Sequence, residues 1–423
     1  MSLFSHEEAR PSLLSDKQRL DWLQLIRSDN IGPRTFRTLI NRFGGAGAAL
    51  KRLPELIRSS TGARQVKIAS REACEREMER AGRIGARFVA MGESAYPAAL
   101  SAIDSAPPLL VVRGNAAAAQ MPAVAIVGSR NASAAGLALT TQMAHELAAQ
   151  GFVIVSGLAR GIDQQAHRAS LQTGTIAVLA GGLDRIYPPE HEGLADALCE
   201  HGLLISEMPL GWTPRGRDFP RRNRIVSGIA LGTVVIEAAR RSGSLITARF
   251  VNEQGREVFA IPGSPLDPRA EGTNDLIRQG ATFCTGASDI IEALEPVRGG
   301  GASLRQSARE GAAGYPRSEP LWDETDLFGE LETPHTSAGL DLNEQALASE
   351  LLRPATDVSA VEKIGDGVER VAALLGSTPV SVDELIRASQ LPAGELQLAL
   401  IDLDLQGAIE RHPGGLISRS ARG

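Results

Sequence analysis

Seven short runs punctuate the middle of the chain: VAIVG (124–128), FVIVSG (152–157), TIAVLAGG (175–182), GLLISE (202–207), GTVVIEAA (232–239), EVFAIPG (257–263) and ATFC (281–284). They are continuously apolar and rich in β-branched residues. A strand covered on both faces reads this way, whereas a half-exposed strand alternates. Between them lie helix-like segments such as LALTTQMAHELAAQ and LITARFVNEQG. Strand–helix alternation predicts an α/β fold, a Rossmann-like doubly wound parallel sheet. Ligands of such sheets bind beyond the carboxyl ends of the strands, so the residues after each run are the ones to weigh.

The first run is followed by Gly128, Ser129 and Arg130, then a helix. Glycine lets backbone amides approach a ligand, and a helix start favours an anion. The turn has neither the G-x-G-x-x-G of a dinucleotide site nor the G-K-[ST] of a P-loop. Arg160 follows the second run and Arg185 the third. The fourth leads into DFPRRNRIVSGIAL, where Phe219 precedes Arg221, Arg222, Asn223 and Arg224. After the fifth come Arg240 and Arg241, then Ser242, Gly243 and Ser244 opening another helix. Asp163 and His167, spaced i, i+4, share one helix face. With no third ligand nearby they read as a helix cap and a local hydrogen bond rather than a metal or acid–base pair.

Taken singly, each arginine reads as a salt-bridge partner for a carboxylate such as Glu207, Asp218 or Glu237. Taken together at strand ends, they predict a groove for repeated phosphates, with Phe219 as a stacking surface for a base. That is the chemistry of single-stranded nucleic-acid binding. No combination offers a nucleophile beside a base, so neither catalysis nor a cofactor is expected. The formal net charge of −6 hides this pattern: it divides into +6 over residues 1–120, −3 over 121–295 and −9 over 296–423. The middle segment has no lysine, only arginine, the better side chain for planar, bidentate phosphate contacts.

The flanks differ. Residues 1–100 read as a helical domain in which Gly32-Pro33 turns a hairpin, resembling a helix-hairpin-helix or SAM-like unit. Arg34 and Arg37 would serve a nucleic-acid backbone there, or the hairpin is a plain packing module. Residues 101–296 form the Rossmann-like domain and 297–366 a Gly-rich, then acidic, linker carrying LWDETDLFGELE at 321–332. Residues 367–423 read as a winged helix. Its recognition-helix candidate, AGELQLALIDLDLQ, has no Lys or Arg, which favours a protein partner over duplex DNA. Cys74, Cys199 and Cys284 fit neither a disulfide framework nor a zinc site. With no apolar run of membrane-spanning length and no secretion signal, a cytoplasmic protein is expected.

The ordered series GSR, SGLARGID..AH, TIAVLAGGLDRIYP, LISE, FPRRNRIVSG, EAARRSGSLITA and VFAIPG….GTN.LI..GA resembles the DNA-processing protein A family, DprA or Smf, densely over residues 90–295. The resemblance implies a homodimer, formed through the Rossmann-like domain, that binds single-stranded DNA without catalysis. It further implies protection of incoming DNA and loading of RecA during natural transformation. By the motif match Gly128, Ser129 and Arg130 fall on the family's phosphate turn, and Arg221, Asn223 and Arg224 on its RNR block. Family members often carry a lysine after the YP motif. This chain has Pro189-Glu190-His191 there, with Arg185 as the substitute.

Two other readings remain. One is a nucleotide hydrolase of the LOG or lysine-decarboxylase-like type, whose P-G-G-x-G-T…E loop SGSLITA matches poorly. The other is a winged-helix transcription factor.

Overall fold

The computed structural model describes residues 14–59, 67–298 and, with gaps, 367–419. The linker and its LWDETDLFGELE motif lie outside the described residues, and AGELQLALIDLDLQ lies only partly within them.

Helices α1 (Asp16–Ile26), α2 (Pro33–Phe43), α3 (Ala46–Ser59) and α4 (Arg71–Arg83) form the N-terminal unit. Ser15 and Gln18 make a capping box at the start of α1, which satisfies two amides that the helix itself leaves unpaired. Ile31, Gly32 and Pro33, the hairpin turn, are buried. Arg34 and Arg37 reach Asp104 at 2.5 and 3.9 Å. The hairpin and its cations are therefore engaged with the protein itself. Arg19 clamps the unit to the sheet, donating to both carboxylate oxygens of Glu93 at 2.6 and 2.9 Å.

The sheet has nine strands: β1 (Ala86–Ala90), β2 (Leu109–Gly114), β3 (Ala123–Gly128), β4 (Val153–Ser156), β5 (Thr175–Val178), β6 (Leu203–Ser206), β7 (Gly232–Ile236), β8 (Glu257–Ala260) and β9 (Thr282–Phe283). Their order is β1-β2-β6-β5-β4-β3-β7-β8-β9. All seven predicted runs are strands, and from β6 to β9 every pairing is parallel. The sheet is not wholly parallel, because β1 and β2 add antiparallel pairings at one edge. Residues 86–90, expected to be helical, form the edge strand. ARFVA is short, β-branched and apolar, and β2 supplies its ladder.

Between the strands run α5 (Ala134–Ala149), α6 (Ile162–Ala169), α7 (Glu192–His201), α8 (Asp218–Ile229), α9 (Gly243–Glu253), α10 (Glu271–Arg278) and α11 (Ala287–Arg298). Successive strand residues face opposite ways. Val153 and Val155 accordingly pack with Ile225, Val226 and Ile229 of α8 and Val251 of α9. Ile154 lies with Met143 and Leu147 of α5 and Ile290 of α11. In β4 to β7 neither face meets water, which is why these central strands carry no polar alternation.

At the C-terminal end, α12 (Gly367–Leu374), β10 (Val380–Ser381), α13 (Val382–Ser389), β11 (Ile409–His412) and β12 (Leu416–Arg419) form a winged helix with sheet order β10-β12-β11. Its core takes in Ala134 at the start of α5. Arg269 donates to the carbonyl oxygens of Ala373 and Leu375 at 3.3 and 3.2 Å. Among the described residues no helix is long and apolar enough to cross a membrane.

Candidate nucleic-acid interface

Strand order reverses between β3 and β7, since the chain winds from β3 through β4 to β6 on one side and from β7 to β9 on the other. A cleft of about 680 Å³ opens there, at the carboxyl ends of the strands. Its lining includes Gly128, Ser129, Arg130, Arg160, Phe219, Arg222, Asn223, Ser242, Gly243 and Ser244, so one site collects residues from turns far apart in the chain. Arg185, Arg221 and Arg224 are not in its lining. Asn131, Asp163, Tyr187, Arg240 and Arg241 are.

The floor depends on close backbone approach. A Cβ on Gly128 would strike the carbonyl oxygen of Ile236, and one on Gly161, at φ +73°, would strike those of Ser129 and Arg130. Ser129 Oγ accepts from the Asn131 amide at 3.1 Å, which pins the turn. Arg130 is exposed at its tip, with its guanidinium 5.7 Å from the centre of the Phe219 ring.

The two helix starts that follow glycine- and serine-bearing turns, those of α5 and α9, differ. At α5 the N-cap Ser133 gives its amide to Glu237 at 2.8 Å and its hydroxyl to the other carboxylate oxygen. Glu237, at φ +52° just past β7, therefore already supplies the negative charge that a helix start attracts. The Ser133 amide and hydroxyl are thus already taken, while the turn at Gly128, Ser129 and Arg130 still lines the cleft. At α9 the N-cap Ser242 accepts from the Ser244 amide at 3.3 Å, and Ser242, Gly243 and Ser244 face the cleft. Of the two starts, this one is open to a phosphate.

The arginines of DFPRRNRIVSGIAL divide likewise. Arg224, 7 % exposed in its side chain, pairs with Glu207 at 2.5 Å and donates to the Ser105 carbonyl oxygen. Arg221 binds the other oxygen of Glu207 at 2.9 Å. Burial pushes the Glu207 carboxyl up, but the Arg221 and Arg224 guanidiniums outweigh it and hold it below its ordinary value. Arg222 stitches two strand ends together, donating from Nη1 to the Gly157 and Val178 carbonyl oxygens. Burial pulls its guanidinium down to about 10, with Asp163 opposing, so it stays charged at neutral pH. The contiguous RNR triplet is Arg222-Asn223-Arg224. Its first two members reach the cleft, while Arg221 and Arg224 are committed to Glu207.

Phe219 lines the cleft but is only 9 % exposed. Arg130 lies over its ring, and Tyr187 meets it edge-on at 5.5 Å. It is a wall rather than an open stacking surface. Tyr187, 39 % exposed, is the aromatic accessible to a base. The signal for it was an aromatic just past the third strand, next to prolines. Arg160 faces the cleft paired with Glu190 at 2.5 Å. Glu190 thus places a carboxylate just after the YP motif, where the resemblance implied a lysine, and Arg185, outside the cleft lining, supplies no cation there. Arg240 lies 3.5 Å from Glu271. Among the described residues Arg130 and Arg241 have no ion pair.

Asp163 does not cap α6, whose N-cap is Gly161. Its Oδ2 accepts from the Gly157 amide at 3.1 Å, and burial raises its carboxyl despite the nearby Arg222 charge. His167, fully buried, bonds not within its own helix but to the start of β5, with Nδ1 2.7 Å from Thr175 Oγ1. Burial, Arg222 and His191 push it down to about 3, so the ring is neutral. Among the described residues no group of His, Cys, Asp and Glu could hold a metal ion.

Three family models match the chain: DNA recombination-mediator protein A over residues 87–295, the DprA-like N-terminal HHH domain over 16–80 and the DprA winged helix domain over 365–415. Protein Smf of Synechocystis sp. is 32% identical over 78% of this chain and 79% of its own length. The chain belongs to the DNA processing protein A (DprA/Smf) family. The family's DprA of Bacillus subtilis is 43% identical over 50% of this chain and 72% of its own length. Among solved structures, DprA from Streptococcus pneumoniae superposes with a TM-score of 0.55 at 31% identity, covering 66% of this chain and 98% of its own. The cleft described above lies within the span of the recombination-mediator model.

Proposed function

We propose that this protein is a single-stranded DNA-binding recombination mediator, acting in the cytoplasm as a homodimer and without catalysis. It protects incoming DNA and helps load RecA during natural transformation. The observation that carries the DNA-binding reading is the cleft at the strand-order reversal. There the exposed Arg130 and Arg241 and the open start of α9 line the same cleft as Tyr187. Phosphates meet fixed cations and amides, and an unpaired base meets an aromatic face that paired DNA leaves unused. Family membership supports the RecA and transformation roles.

Binding of oligothymidylate and of duplex of equal length, measured across a salt series, tests the reading. With Arg130, Arg160, Arg240 and Arg241 engaged, log affinity for single strands should fall against log salt with a slope of roughly −3. Duplex should bind more weakly. A salt-independent affinity, equal affinity for duplex, or hydrolysis of nucleoside monophosphates would overturn it. RecA filament growth on single strands covered by single-strand-binding protein tests the loading step, and sedimentation tests the dimer.

A further inference from the structure

The loop between β6 and α8 builds a second ordered aromatic–cation pair, separate from the cleft. Asp218, buried at the start of α8, accepts through a single oxygen, Oδ2, from Trp212 Nε1 at 2.9 Å and from the Arg215 amide at 2.8 Å. One carboxylate therefore fixes both the indole plane and the loop beside it. The Arg215 guanidinium, exposed, lies 5.3 Å from the centre of the Trp212 ring. Trp212 is only half-buried and belongs to none of the buried clusters of the sheet, so packing alone does not account for its orientation.

The pair adjoins the cleft. Asp218 precedes Phe219 directly, and Phe219 with Tyr187 forms the cleft wall. The Trp212 carbonyl oxygen accepts from the Gly182 amide at 3.0 Å, which holds the loop against the turn carrying Arg185. The neighbouring carboxylates are engaged: Asp184 with Arg80 at 2.6 Å and with the Gly211 amide at 2.6 Å, Glu207 with Arg221 and Arg224. Arg185 and Arg215, both exposed, set the sign of this rim.

We propose that Trp212 and Arg215 form a second contact for the same single strand, one nucleotide unit beyond Tyr187 or further, with the base stacked on the indole–guanidinium pair and the phosphate held by Arg215 and Arg185. The proposal rests on the reading of the cleft as a single-strand site. Indole and guanidinium planes both accept a base face, and a guanidinium grips phosphate in a bidentate manner. The pair sets how long a strand must be to bind fully.

The test uses the full chain and two oligothymidylates, one just long enough to fill the cleft and one twice that length. Trp212→Ala and Arg215→Ala should each weaken the longer strand about ten-fold and leave the shorter one unchanged. Trp212→Phe should retain most of the affinity while abolishing the fluorescence quenching that the longer strand produces in the parent protein. Arg130→Ala should weaken both lengths. Melting curves of Arg215→Ala separate a loosened loop from a lost contact. Equal losses on both lengths, no loss on either, or quenching that persists in Trp212→Phe would overturn the second contact while leaving the cleft standing. If the parent protein binds neither length, the cleft reading fails and this proposal with it.

Discussion

Arg130 and Arg224 both lie beside strand ends of one sheet, yet their surroundings are opposite. Arg130 stands exposed on a turn with the Phe219 ring beneath it, while Arg224 is buried against Glu207 and a backbone carbonyl from residue 105. The two helix starts repeat the contrast. Glu237 closes α5, and α9 stays open. In each case a protein group of complementary charge has taken one of two similar features out of reach of a ligand. A cluster of cations in a sequence therefore counts for ligand binding only after its internal partners are subtracted.

The largest expected effect comes from the buried ring beneath Arg130. Phe219→Ala should cost about 3 to 5 kcal/mol of stability and weaken single strands and duplex alike, read from denaturant melts and from both affinities. A mutant of unchanged stability that loses only single-strand binding would make Phe219 a stacking surface after all.

Arg224→Ala should follow closely. Removing one partner of a buried pair costs about 3 to 5 kcal/mol, and the lower end is expected because Arg221 still holds Glu207. For a sheet domain of about 200 residues unfolding as a unit, the melting temperature should drop by roughly 6 to 12 °C. The acid limb of stability should move too. The Glu207 carboxyl lies below its ordinary 4.5 in the folded protein, so its contribution is complete above that pH and fades as pH falls through the lowered value. Without Arg224 one of the two guanidiniums that oppose burial is gone, and the fade should begin at higher pH.

Arg130→Ala should leave the melting temperature within about 1 °C of the parent and weaken single-strand binding by about 1.5 to 3 kcal/mol. A lost thermal transition would place Arg130 with Arg224 and dissolve the comparison. The smallest effect belongs to the closed helix start. Glu237→Ala should cost about 1 kcal/mol, as loss of a cap does, and should raise single-strand affinity slightly, by removing a negative charge and opening α5. Weaker binding in this variant would mean that Glu237 shapes the cleft rather than merely closing the helix.

The sequence alone determined the strand–helix alternation and the turn at Gly128, Ser129 and Arg130, because continuous apolar runs and glycine turns are local signals whose meaning does not depend on distant residues. It also carried the ordered motifs on which the family resemblance rests. Tertiary structure alone decided which arginines face outward. The Ser105 carbonyl that holds Arg224 lies 119 residues away, and the Ser133 that engages Glu237 lies 104 away. It also decided the edge strand at 86–90, whose ladder comes from β2, and the burial of Phe219 under Arg130. Burial and pairing are properties of neighbours in space, and the winding of β3 through β9 chooses those neighbours only once the sheet is assembled.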